Sequence, residues 1–160
     1  MKIKIRHAKE SDLGDIVRLN NFLFEEDSEF DDTLNMEWPT SKGKKYFLGI
    51  IEKPEGCILV AEVDGKTVGY LEGKVRNTFS YRIKMKMADL ESLLVEKSFR
   101  GKGIGKSLVK EFILWCESKK VTRIAVTSSE KNREAIKFYE VIGFLKYNVT
   151  LEMDTKIKGE

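Results

Sequence analysis

Apolar residues recur along this chain at two spacings, and the changes from one spacing to the other mark its elements. Ile3 and Ile5 alternate with basic residues and predict a strand over Lys2 to His7. Ser11 is placed to cap a helix whose apolar side is Leu13, Ile16, Val17, Leu19, Phe22 and Leu23, ending near Phe24. Trp38-Pro39 breaks a segment that resumes as helix through Tyr46 and Ile50, and Pro54 to Gly56 reads as a turn. Ile58 to Val63 and Thr67 to Val75 are strands joined at Asp64-Gly65, a hairpin dipeptide. Tyr81, Ile83, Met85 and Met87 alternate with Arg82, Lys84 and Lys86, which predicts an extended strand with one basic face. Leu90, Leu93, Leu94 and Val95 form a short apolar run, read as a buried strand. Ile104, Leu108, Phe112 and Trp115 then share a helical face as far as about Lys119. Val121 to Thr127 is a short buried strand, so strand, helix and strand make a crossover that implies parallel pairing. Asn132 opens a helix with an inward stripe of Ala135, Phe138, Tyr139 and Ile142, closed by Gly143. Leu145, Tyr147, Val149, Leu151 and Met153 alternate as a final strand.

Between the run ending at Val95 and the helix at Ile104 stand three glycines at alternate positions, Gly101, Gly103 and Gly105. Helix propensity does not ask for glycine there, since each loses backbone entropy where a helix starts. Bare backbone at a helix N-terminus presents unpaired N–H groups with the positive end of the helix dipole behind them, a site for phosphate oxygens. Arg100, Lys102 and Lys106 add positive charge at the same place. A flexible solvated loop with ordinary surface lysines accounts for the same residues. A dinucleotide fingerprint fails, because the glycines run G-x-G-x-G and begin well past the strand. Gly105-Lys106-Ser107 supplies the end of a P-loop, but Arg100 stands at its first glycine, leaving a weak nucleotide-hydrolase alternative.

Arg100-x-x-Gly103-x-Gly105 after a strand ending in Val95 resembles the acetyl-CoA-binding motif of the GNAT superfamily of N-acetyltransferases. Asn132-x-x-Ala135-x-x-x-Tyr139-x-x-x-Gly143-Phe144 resembles that superfamily's second signature, in the same order and at about the same separation. The resemblance implies an α/β fold with a mixed, splayed central sheet flanked by helices on both faces, an α/β/α sandwich. It implies acetyl-CoA as cosubstrate, with Leu93, Leu94 and Val95 along the pantetheine arm and Arg100, Gly101, Lys102, Gly103, Ile104, Gly105 and Lys106 around the diphosphate. Asn132, which also reads as a plain helix N-cap, matches the residue that contacts the cofactor. Tyr139 stands at the position of the tyrosine that protonates the departing sulfur, although a core tyrosine fits the same stripe. Glu91 occupies the place of an acceptor-binding glutamate in diamine acetyltransferases, but Ser92 replaces the aspartate that follows it there. Asp89 and Glu91 share strand parity with Leu93 and Val95, so all four are expected on one side. The carboxylate route for the acceptor's proton is therefore open among Glu91, Asp89 and a water chain.

Composition changes this picture little. The 160 residues carry 29 basic and 26 acidic side chains, a net +3 too well mixed to imply nucleic acid. Two cysteines are too few for a disulfide framework and a single histidine argues against a metal centre. No apolar stretch is long enough to span a membrane and no signal peptide is evident, so a cytoplasmic protein is expected. One domain over residues 1–155 with a polar tail at 156–160 is expected. Glu25 to Asp32 holds six acids in eight residues, either a solvated turn or a rim that attracts a cationic acceptor. The sequence thus points to an N-acetyltransferase acting on a primary amine, with a catalytically silent CoA-binding module as the alternative. The acceptor is open, and so is the oligomeric state, although a homodimer is common among the proteins it resembles.

Overall fold

The computed structural model describes residues 1–156; the tail expected at 156–160 therefore lies, Lys156 apart, outside the described residues. Five strands make one sheet in chain order, β1 (Ile3–His7), β2 (Gly56–Val63), β3 (Lys66–Asn77), β4 (Lys86–Val95) and β5 (Arg123–Val126). The first four pair antiparallel and β5 runs parallel to β4, as the crossover required. Asp64 and Gly65 both have positive φ, the mirror-image turn whose twist suits a tight hairpin. Helices α1 (Leu13–Asp27) and α2 (Lys44–Ile51) cover one face, with a π-helical turn, Pro39–Gly43, leading into α2. Helix α3 (Ile104–Ser118) covers the other face beside α4 (Arg133–Ile142). This is the expected α/β sandwich.

Each face has its own core. Ile16, Leu19, Phe47, Ile58, Val60, Tyr70 and Leu94 are buried between the sheet and α1 and α2. Leu59, Leu71, Ala88, Leu90, Leu108 and Phe112 are buried beneath α3, with both cysteines among them. The change of side along β4, from even residues facing α3 at Ala88 and Leu90 to Val95 facing it later, has a cause. The register with β3 shifts between Glu72 and Gly73, which pair with Ser92 and Leu90, so Glu91 is an extra residue in a bulge. The expected parity of Asp89 and Glu91 with Leu93 and Val95 is broken at that point. Asp89 faces the α1 and α2 side and is held by Arg76 at 2.7 Å. The bulge also fixes Gly73, because a Cβ there would lie 2.4 Å from the ring of Phe112.

Four expectations fail, two of them drawn from alternation. Strand β4 begins only at Lys86, and Tyr81 to Met85 belong to an exposed loop in which Phe79 and Tyr81 stack at 5.7 Å. Alternation marks a strand only where a neighbouring strand exists to pair with it. For the same reason Leu145 to Met153 pair with no strand among the described residues and are exposed. Strand β5 is half-buried rather than buried. The first helix is begun by Asp12, not Ser11: its carboxylate accepts from the backbone of Lys9 at 2.7 Å and takes a bidentate grip from Arg6 at 2.8 and 2.9 Å. The guanidinium beside it holds the Asp12 carboxyl below the usual carboxylate range.

One carboxyl lies inside the core. Glu72 is 1% exposed on β3 and accepts a 2.6 Å hydrogen bond from the phenol of Tyr46 on α2. Burial pushes its pKa up to about 7, against the lowering effect of that hydrogen bond and with a further push from Glu91. A carboxylate whose folded value is raised above its unfolded one binds its proton more tightly when folded. Stability therefore falls as pH rises from about 4.5 toward 7 and stays lower above that. The full difference is about 3 kcal/mol. Denaturant unfolding of Glu72→Gln against the parent across pH 4.5 to 7.5 should show the parent losing stability and the variant losing at least ~2 kcal/mol less.

Candidate functional site

Strand β4 pairs with β5 only from Met87 to Leu90, opposite Arg123 to Val126. Beyond that the two strands separate. The parting comes at Leu90, five residues before the strand ends, so Glu91 to Val95 border a gap on their β5 side. The gap opens into a cleft of about 900 Å³ that runs from the glycine turn to the end of α1.

The turn is built as the sequence required. Gly101 and Gly103 have φ of 75° and 81°, a left-handed conformation that side chains resist, and a Cβ at either would meet nothing within 4 Å. Their surroundings are open, so the backbone is bare toward the cleft. Gly103 is the N-cap of α3 and supplies no side chain to cap it, which leaves the first-turn amides for a ligand. Gly105 has another role: a Cβ there would lie 3.2 Å from the ring of Phe138 and 3.8 Å from Val95. Its bareness lets α4 close against the turn.

The structure brings nearly every expected residue to this cleft. Leu93, Leu94, Val95, Arg100, Gly101, Gly103, Ile104, Gly105, Lys106, Asn132, Tyr139 and Glu91 all line it. Lys102 does not; its ammonium lies 5.4 Å from the centre of the Phe99 ring and 3.4 Å from the carbonyl of Ser98. Arg100 lines the cleft but is committed elsewhere. Its Nε donates to the carbonyl of Val95 at 2.7 Å and its Nη2 meets Glu26 of α1 at 2.7 Å, so it braces the turn between two walls. Asn132 caps α4 by accepting from the amide of Ala135 at 3.1 Å.

Tyr139 sits edge-on to Phe138 and Phe144, with ring centres 5.1 and 5.5 Å away. Burial, with a smaller push from the charge of Asp27, raises its pKa to about 12. The phenol keeps its proton at neutral pH and is a hydrogen-bond donor facing the gap. Glu91, in the bulge, is exposed and lies 3.6 Å from Lys74.

Reasoning on the sequence missed two carboxyls. Asp27 stands at the end of α1 on the wall of the cleft, where burial and the neighbouring charges of Glu26 and Asp31 raise its pKa. The acidic segment announced a charged rim, but only the fold shows which member is drawn inward. Glu72 lies behind Glu91, near enough to feel its charge. Nothing in the alternation of β3 distinguishes it, because a glutamate at a strand position reads as solvent-facing. Among the described residues no group of three or more histidines, cysteines or acids is placed to hold a metal ion, and no helix is long and apolar enough to cross a membrane.

Comparison with known proteins places this geometry. Residues 20–144 match the model of the acetyltransferase (GNAT) family. An uncharacterised N-acetyltransferase of Methanocaldococcus jannaschii is 30% identical over 99 residues, which is 62% of this chain and 43% of that protein; the match spans less than half of that relative. An uncharacterised N-acetyltransferase of Archaeoglobus fulgidus is 28% identical over 139 residues, 86% of this chain and 89% of that one. The solved structure of a tetramutant protein of Bacillus halodurans superposes with a TM-score of 0.85 at 24% identity, covering 94% of this chain and 99% of that chain, a likeness of fold. With a bare glycine turn, a parted sheet and a family model that spans all of α3 and α4, the chain belongs to the acetyltransferase (GNAT) family.

Proposed function

We propose that the protein is an acetyl-CoA-dependent N-acetyltransferase that transfers the acetyl group to a primary amine by direct attack in a ternary complex. The observation that carries this reading is that the uncapped turn at Gly103 and the phenol of Tyr139 open onto one cleft at the parting of β4 and β5. The amides of residues 103–106 hold the diphosphate, with Lys106 beside them. The edge of Leu93 to Val95 that faces away from β3 runs along the pantetheine arm, and an amide there polarises the thioester carbonyl as oxyanion charge develops. Acetyl-CoA supplies the activated acyl group; the protein supplies alignment and proton transfer.

The acceptor must arrive as a cation and react as a neutral amine. An alkylamine of pKa about 10.4 is neutral in only about one part in a few thousand at pH 7, a cost near 4.6 kcal/mol. Glu91, or a water that it holds, takes that proton, and Tyr139 donates to the leaving sulfur. Asp27, partly desolvated and on the wall opposite Tyr139's helix, binds the ammonium before it is deprotonated. Glu26, Asp31 and Glu91 line the same mouth, which favours cationic acceptors over acidic ones.

A coloured-thiol assay over a panel of amines tests the activity. Thiol release that needs both acetyl-CoA and an amine is expected, and CoA binding without release would select the silent module instead. Tyr139→Phe should lower kcat about 100-fold or more while acetyl-CoA affinity by calorimetry stays within about twofold. Asp27→Asn should raise KM for a cationic amine about tenfold or more with little change in KM for acetyl-CoA. Equal effects on both Michaelis constants would place Asp27 in the structural frame and not at the acceptor.

A further inference from the structure

The connection between β3 and β4 ends in an uncovered tip. Every residue from Phe79 to Lys84 is exposed, and three of them are large and apolar: Phe79, Tyr81 and Ile83, at 63, 76 and 80%. A solvated loop has no use for three such side chains so close together. The tip is nevertheless well built. The Thr78 amide donates to the Met85 carbonyl at 3.2 Å, and the Arg82 amide donates to the Phe79 carbonyl at 2.9 Å. The Thr78 hydroxyl donates to the Ile83 carbonyl at 2.9 Å and accepts from the Met85 amide at 3.2 Å. Phe79 and Tyr81 stack on one another, with the guanidiniums of Arg76 and Arg82 lying 6.0 and 5.5 Å from their respective ring centres.

Charge is sorted around this tip. From Lys74 to Ala88 the chain has five cations and no acid, and Lys119, Lys120 and Arg123 add three more. Both stretches come to the same end of the sheet, because Arg123 pairs with Met87 and the Thr122 amide donates to the carbonyl of Lys86 at 3.1 Å. Together they hold more positive charge than the net +3 of the whole chain, so the remainder is acidic. Four of its acids, Glu26, Asp27, Glu29 and Asp31, stand at the cleft mouth, beyond the other end of β4. The ten-residue strand sets the two ends about 30 Å apart. Arg82, Lys84, Lys86, Lys120 and Arg123 are exposed, and none of them forms an ion pair among the described residues.

We propose that this end of the protein docks on a bilayer surface rich in anionic phospholipid. Phe79, Tyr81 and Ile83 enter the boundary between headgroups and acyl chains, and the exposed cations lie on the phosphates. Unpaired charge of one sign calls for a polyanionic occupant. A bilayer fits better than RNA, because Ile83 is the most exposed apolar residue of the tip and has no ring to stack on a base, while the two rings already have stacking partners. It fits better than a folded protein because a convex tip needs a groove in a rigid partner but sinks into a fluid interface. Each Lys or Arg held near an anionic surface strengthens binding about fivefold, an effect that salt weakens. The acidic mouth, repelled by the same lipids, then faces away from the surface and stays open to acceptors.

The test needs neither acetyl-CoA nor an amine, so its failure would leave the reading of the cleft standing. The full chain is sedimented with vesicles of phosphatidylglycerol and phosphatidylcholine in equal parts, and with vesicles of phosphatidylcholine alone. Partition into the anionic vesicles should be about tenfold or more the stronger, and should fall at least ~10-fold between about 0.05 and 0.5 M salt. Tyr81→Ala with Ile83→Ala, which leaves the charge unaltered, should weaken it about tenfold. Arg82→Glu with Lys84→Glu should weaken it about 100-fold or more. Tyr81→Trp should gain emission that shifts to the blue with anionic vesicles and is quenched by lipids brominated in their acyl chains. That signal decides the matter should either double variant fail to fold. Equal partition into both vesicles, binding that survives either double substitution, or fluorescence that does not shift overturns the proposal. So does a single-stranded RNA oligomer that binds more tightly than the vesicles and is lost with Arg82→Glu and Lys84→Glu.

Discussion

Beyond Leu90, one edge of β4 has no strand to pair with, and the backbone N–H and C=O groups that face the gap must find partners elsewhere. That constraint organises the rest of the molecule. A sheet that closed there would be more stable and would have no cleft. The parting is held open from both ends: the crossover through α3 anchors β5 at Arg123 to Val126, and the bulge at Glu91 turns the remainder of β4 away from that register. The open edge is therefore a property of the covalent topology and not of a flexible loop, and a ligand that bonds to it meets a pre-arranged surface.

The two walls of the cleft are carried by different layers, and charged contacts tie them to the parted strand. Arg18 of α1 meets Glu96 at 2.6 Å just past the end of β4, and Arg100 links the turn to Glu26 near the end of α1. These bridges are short, the first part-buried and the second exposed, and each joins residues more than seventy positions apart. Their worth is in position more than in stability, since partly exposed ion pairs contribute little net free energy. They set the acidic end of α1 opposite the phenol of Tyr139, the arrangement on which the acceptor proposal rests.

Much of this was legible in the sequence, for reasons that also explain what was not. The helices α3 and α4 and the hairpin at Asp64-Gly65 follow from local pattern and turn chemistry, which survive in any tertiary context. The glycine turn was legible because no local preference explains it. Strand parity failed at Glu91 because a bulge is a relation between two strands, and no count along one of them reveals it. The alternation at Tyr81 to Met85 and at Leu145 to Met153 misled for a related reason: it reports a strand's capacity to be covered on one face and says nothing of whether a neighbour exists. Glu72 and Asp27 stayed hidden because burial of a carboxyl is decided by what packs over it, which for Glu72 includes Tyr46.

The clearance at Gly105 has a consequence for how the cleft can change width. Less than the room for one methyl group separates the turn from the Phe138 ring, next to Tyr139 on α4. A hard contact of this kind does not stretch, unlike a hydrogen bond that could lengthen to admit a bulkier cargo. The spacing of the glycine turn from α4 is then fixed, and any widening of the cleft has to come from the opposite wall, where Glu26 near the end of α1 is held by an ion pair that can yield.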